Sequence, residues 1–123
     1  MVDDTAALPP AVQRAVDDVR ARLADDPFAA PEAPQLVELG LGARELAAAV
    51  RSGQLLRIAE GVVLAPGVAD DARARLAGIP QPFTLGQARQ AWGTSRRVAV
   101  PLMEWLDARG VTERLPDNTR RLR

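Results

Sequence analysis

The sequence predicts a mostly helical α+β chain built from two tandem copies of one small module. Three observations predict it. Apolar residues recur at helical spacing in several segments. Each half ends in two short apolar runs around a turn signal, Glu60-Gly61 in the first and Pro116-Asp117-Asn118 in the second. The whole order also repeats: Gly53 and Gly110 stand 57 residues apart, and the two hairpin turns are spaced almost identically.

Taken in order, residues 1–10 read as a flexible lead-in. Ala11–Ala24 is a helix, because Val12, Ala15, Val16, Val19 and Leu23 share one face. Asp25–Pro34 holds three prolines and reads as a loop. Pro34–Leu39 is a short helix, closed by a turn at Gly40 and Gly42. Ala43–Ser52 is a helix with Leu46, Ala49 and Val50 inward, and Gly53 supplies its left-handed stop. Leu55–Ala59 and Val62–Ala65 then form a hairpin. In the second half Ala69–Ala77 is a charge-rich helix, and Phe83 contributes a strand residue. Thr84-Leu85-Gly86-Gln87 matches a capping box that starts a helix running to Trp92. Gly93 makes the tight turn. Thr94 or Ser95 caps the last helix, which runs to Arg109, and Gly110 ends it. Val111–Leu115 and Thr119–Leu122 form the final hairpin. This is the order of a helix-turn-helix with a β-hairpin wing. The expected domains are therefore 11–67 and 68–123, each a winged-helix module.

Composition narrows the chemistry. The chain has no cysteine and no histidine, which removes disulfides, thiolate metal sites and the commonest general base. No apolar run approaches the ~20 residues that span a bilayer, and MVDDTAALPP lacks a signal peptide's apolar core. A soluble cytoplasmic protein is expected. The net charge of zero conceals an asymmetry. Residues 1–69 hold six arginines against ten acidic residues, a balance of −4, and residues 70–123 hold ten against six, a balance of +4. The acidic first module reads as a spacer and the basic second module as the one facing a polyanion. The acidic pairs Asp3-Asp4, Asp17-Asp18, Asp25-Asp26 and Asp70-Asp71 read as solvated helix ends and faces rather than metal ligands. Thr84, Thr94 and Ser95 have no histidine to activate them, so an enzyme is not expected.

The last helix carries the most specific pattern. Val98, Ala99, Leu102, Met103, Trp105 and Leu106 fill one broad face, while Arg97, Glu104 and Asp107 fall on the other, with Arg96 nearby. Its first turn combines Ser95, Arg96 and Arg97 with the positive end of the helix dipole, a phosphate site. Pro101 predicts a kink. The hairpin adds Arg114, Arg120 and Arg121, with Arg123 at the tail; alternation puts Arg120 and Arg121 on opposite faces. On these residues alone RNA, duplex DNA and a protein partner all remain open.

FTLGQAR (Phe83–Arg89), GTSRRVAVPLMEWLD (Gly93–Asp107), ARGVTER (Ala108–Arg114) and the basic terminal strand together resemble the last winged-helix module of the bacterial selenocysteine-specific elongation factor family. Residues 11–66 resemble the preceding module more weakly. The family places a second basic residue after the serine that is commonly lysine; here it is Arg97. The resemblance implies that the chain tethers such a factor to the selenocysteine-insertion hairpin of an mRNA. Ser95, Arg96 and Arg97 would contact the RNA backbone, and Arg114 and Arg121 would supply wing contacts; Arg120, on the same hairpin, is a further expected RNA-binding residue. The deep A-form groove favours recognition through phosphates, shape and an exposed base. No G-x-x-x-x-G-K-[ST] occurs and the chain has no lysine. No cofactor is expected here, GTP and Mg²⁺ belonging to the parent factor's GTPase domain. Ribosome and selenocysteyl-tRNA would be reached only through that factor, by a monomer that is an excised or separately encoded C-terminal piece. A DNA-binding regulator would need a basic recognition helix reaching base edges, and Glu104 and Asp107 are expected to oppose it. A protein-interaction winged helix with inert arginines is the other alternative.

Overall fold

A computed structural model describes residues 8–123. The chain divides between Pro66 and Gly67 into two compact units. Most of the expected lead-in, and the Asp3-Asp4 pair, lie outside the described residues.

The first unit contains α1 (Pro10–Asp25), α2 (Ala33–Glu38), α3 (Ala43–Arg51), β1 (Leu56–Ala59) and β2 (Val62–Leu64). Helix α1 starts one residue earlier than the apolar pattern suggests. Pro10 occupies its first position, where a missing N–H costs nothing. Ala15, Val16, Val19 and Leu23 are buried along one stripe of α1. They share a core with Phe28, Leu36, Leu41, Ala49, Leu55 and all three residues of β2. Each fully buried aliphatic side chain contributes ~1.5–3 kcal/mol. Gln13 on α1 and Gln54 before β1 exchange two amide hydrogen bonds, at 2.7 and 3.1 Å. The hairpin pairs antiparallel, with an irregularity between Arg57 and Ala59.

The second unit contains α4 (Val68–Ala77), α5 (Leu85–Trp92), α6 (Arg96–Ala108), β3 (Thr112–Arg114) and β4 (Arg120–Leu122). The capping box forms: Gln87 N–H donates to the Thr84 hydroxyl at 3.1 Å, and Thr84 N–H donates to the Gln87 side chain at 2.8 Å. Gly93 closes α5 at φ +63°, in the left-handed region where a side chain is strained. This lets Thr94 N–H reach back to the Arg89 carbonyl at 3.3 Å, and the chain turns directly into α6. Trp92 is buried, and its ring N–H donates to the Ala72 carbonyl at 3.3 Å, tying α5 to α4. Phe83, Leu76, Val98, Leu102, Met103 and Leu106 complete this core.

The wing pairs Thr112 with Leu122, Glu113 with Arg121 and Arg114 with Arg120. Phe83, expected as a strand residue, pairs with the wing: it exchanges two 2.8 Å backbone bonds with Arg120. Asn118 at the wing tip takes φ +68°, which asparagine tolerates better than most residues. Trp105 departs from the wheel. It is only half-buried, on the flank of the apolar face, and the Arg109 guanidinium lies 4.2 Å from its ring centroid. Helix α6 continues through Pro101, which lies between its ends.

Candidate nucleic-acid interface

The start of α6 gathers three of the expected residues on a single turn. Ser95 is the N-cap, with an extended backbone at φ −86° and ψ 165°. Its carbonyl accepts from Val98 N–H at 3.2 Å and Ala99 N–H at 2.9 Å. Its hydroxyl makes no capping bond. The serine therefore begins the helix through its backbone and keeps the side-chain hydroxyl for another partner. Arg96 and Arg97 follow, and both are exposed. Successive helical residues lie about 100° apart, so the two guanidinium groups spread across the helix start. No acidic residue occupies the first turn. The dipole and both side chains thus carry one sign.

The wing arginines have three different fates. Arg114 is exposed and bonds to the Asn118 side-chain oxygen through Nε and Nη2. That acceptor is neutral, so the charge on Arg114 persists. Arg121 is exposed and pairs with Glu113 across the strands at 3.1 Å. Ion pairs in such solvent contribute ~0–1 kcal/mol, so a stronger anion can take the guanidinium from Glu113.

Arg120 corrects the sequence expectation. Its side chain retains only 11% of its exposure, and Nη2 pairs with Asp107 at 3.3 Å. Nη1 donates to the Asn118 carbonyl at 3.1 Å. Alternation along β4 turns this side chain toward α6, where its charge is neutralised by a carboxylate of the same chain. Arg120 is therefore a fastener for the wing rather than a surface contact. The same pair corrects Asp107, expected on the exposed face of α6. The Asp107 carboxylate also accepts the buried Thr112 hydroxyl at 2.6 Å. Glu104 is left as the exposed carboxylate along that part of α6.

The helix start and the wing base attach to opposite ends of α6. Eleven residues separate Arg96 from Asp107, about 17 Å along the axis at 1.5 Å per residue. Arg96 and Arg97 thus stand at one end of α6, and the wing that carries Arg114 and Arg121 is fastened to it through Asp107, toward the other end.

Asp117, at the wing tip, accepts from the Thr119 hydroxyl and from Thr119 N–H. These two bonds, the hydroxyl first, hold its carboxyl below the usual carboxylate range. Sequence reasoning missed Arg89. Its Nη1 donates to the Thr94 carbonyl at 3.4 Å, beside the α6 start. Its place at the end of the quoted Phe83–Arg89 segment was the signal available.

Among the described residues no cluster of acidic side chains is placed to hold a metal ion. No helix there is long and apolar enough to cross a membrane. The first module presents a separate feature, an apolar groove of about 370 Å³ lined by residues of α2, α3 and the hairpin, among them Leu36, Val37, Leu46 and Val63.

Residues 74–122 match the family described as elongation factor SelB, winged helix. Such a domain is non-catalytic. No curated protein matches the chain. A solved structure, the crystal structure of a bacterial selenocysteine-specific elongation factor EF-Sec, superposes over 99% of this chain with a TM-score of 0.73 at 20% sequence identity. The chain spans about a fifth (20%) of the length of that protein. That likeness extends the shared fold across both units, and the family match runs from the last turn of α4 to the end of β4. Over residues 74–122 the second module is thus similar to the winged-helix domain of elongation factor SelB, and the chain has the fold of a tandem winged-helix region.

Proposed function

We propose that this chain is the RNA-tethering region of a selenocysteine-specific elongation factor, and that its second module holds the selenocysteine-insertion hairpin of a selenoprotein mRNA. The observation that carries the reading is the α6 start, where Ser95 offers an unused hydroxyl beside exposed Arg96 and Arg97 in a SelB-like domain. Phosphates of one strand bind there, and Arg114 and Arg121 take phosphates of a neighbouring stretch. Contacts of this kind set position and affinity, and shape or an unstacked base supplies selectivity. The acidic first module acts as a spacer. GTP, Mg²⁺, selenocysteyl-tRNA and the ribosome are engaged by other parts of the factor, in the cytoplasm, and the chain works as a monomer without a cofactor of its own.

Duplex DNA is the competing ligand, and the inward turn of Asp107 removes one of the two carboxylates expected to repel it. A competition assay decides between the two. A labelled hairpin RNA bound to the chain is challenged with unlabelled hairpin or with duplex DNA of equal length at fixed salt. The hairpin should displace the label at far lower concentration. Equal displacement by DNA would sink the RNA assignment.

A further inference from the structure

Arg89 lies half-buried on the flank of α5, and its guanidinium is held at Thr94, the residue before the α6 N-cap. The backbone closes the same loop in the other direction, Thr94 N–H donating to the Arg89 carbonyl. The backbone bond fixes the turn, and the side-chain bond aims the guanidinium at it. The anchor is a neutral carbonyl, so it orients the cation without cancelling it. Arg89 enters no ion pair among the described residues. A guanidinium has five N–H donors, and this one commits a single donor, at 3.4 Å. Partial burial strips water from the group and strengthens its attraction for an anion. Arg75, from α4, donates to the Ala91 carbonyl in the last turn of α5 at 3.1 Å. Arg89 and the α6-start arginines therefore flank the α5–α6 turn, with Arg75 bonded to the last turn of α5 behind it.

We propose that Arg89 is a further RNA-contact residue, binding a second phosphate of the strand held by Ser95, Arg96 and Arg97. The footprint then extends from the α6 start back along α5, as well as forward to the wing. This rests on the hairpin-binding reading above. A neighbouring phosphate adds to the first because both sites are preset by the same turn, so little ordering remains to be done on binding.

The test measures hairpin affinity over a range of salt for wild type, Arg96→Ala, Arg89→Gln and Arg89→Lys, with thermal melting of each. Arg89→Gln should bind about tenfold more weakly and lower the salt slope by about one, with melting unchanged. Arg89→Lys, which keeps the charge, should retain the wild-type slope. In the unmodified protein, the Arg89 Nε–H resonance should shift when hairpin is added. Arg89→Gln matching wild type in affinity and slope, or an unmoved Nε–H signal, overturns the assignment while leaving Arg96 free to report on its own. Loss of affinity in Arg89→Gln with an unchanged slope shows a packing role and also overturns it. Failure of wild type to bind hairpin removes the parent reading and this inference with it.

Discussion

The Asp107 carboxylate on α6 and the Arg120 guanidinium on β4 meet at 3.3 Å and together fasten the wing to the helix. The bond is shielded on both sides, with 11% and 22% of the two side chains exposed. Thr112, buried at the base of β3, donates its hydroxyl to the same carboxylate. Two strands are thereby fixed to one helical residue.

Removing one partner strands the other. Asp107→Ala should cost ~2–4 kcal/mol in urea unfolding, because a mostly buried guanidinium loses its counter-ion. Arg120→Met should cost less, since its aliphatic replacement leaves the Asp107 carboxylate still bonded to Thr112. The double variant should be more stable than the two single losses combined would give, and strict additivity would show that the pair is uncoupled.

Arg96→Ala should weaken hairpin binding by ~1–3 kcal/mol and reduce the salt slope by about one. Arg121→Ala should have a smaller effect, because Arg121 must first leave Glu113. A titration of both variants at several salt concentrations checks the ranking. Affinity unchanged in Arg96→Ala would misplace the site.

Acid should loosen the wing tip. The folded state holds the Asp117 carboxyl below its ordinary range, through the Thr119 hydroxyl and amide. A group depressed in this way stabilises the fold above its unfolded pKa, and the contribution disappears as pH falls through the folded value. Wild type should therefore exceed Asp117→Asn in stability near neutrality, with the gap closing below about pH 4. Because the carboxyl is fully exposed the gap will be small, and amide exchange at Thr119 is the sensitive readout. An equal gap at pH 3 and pH 7 would contradict the assignment.

Deleting residues 1–66 should leave hairpin affinity almost intact, since the arginines that carry the proposal belong to a unit with its own core. An affinity loss approaching that of Arg96→Ala would make the first module a binding partner rather than a spacer.

The order of elements was legible because it rests on short-range signals. Thr84 with Gln87 specifies one helix start, and Gly53, Gly93 and Gly110 specify three ends, each adopting the left-handed backbone. The α6 arginines were legible for the same reason, as they follow directly from where the helix begins. The errors concern directions across elements. A helical wheel puts Trp105 on the apolar face, yet that face is broader than the surface it packs against, and Arg109 covers the ring instead. The wheel also puts Asp107 outside, since it contains no information about a strand arriving beside it. Strand alternation separates Arg120 from Arg121 but does not say which of them faces inward. That choice belongs to Asp107, and Arg89 likewise gains its place only once α5 and α6 are joined by their turn.

The Glu113–Arg121 contact gives the wing an intrinsic threshold. A carboxylate tethered beside the guanidinium competes at the high local concentration of any intramolecular group, so a stray phosphate or free nucleotide gains little by displacing it. A polymer presents many charges and releases many condensed counter-ions as it lands. At ~0–1 kcal/mol the contact weakens the hold of Arg121 on a single small anion by a few-fold at most, a handicap that the many contacts of a polyanion outweigh.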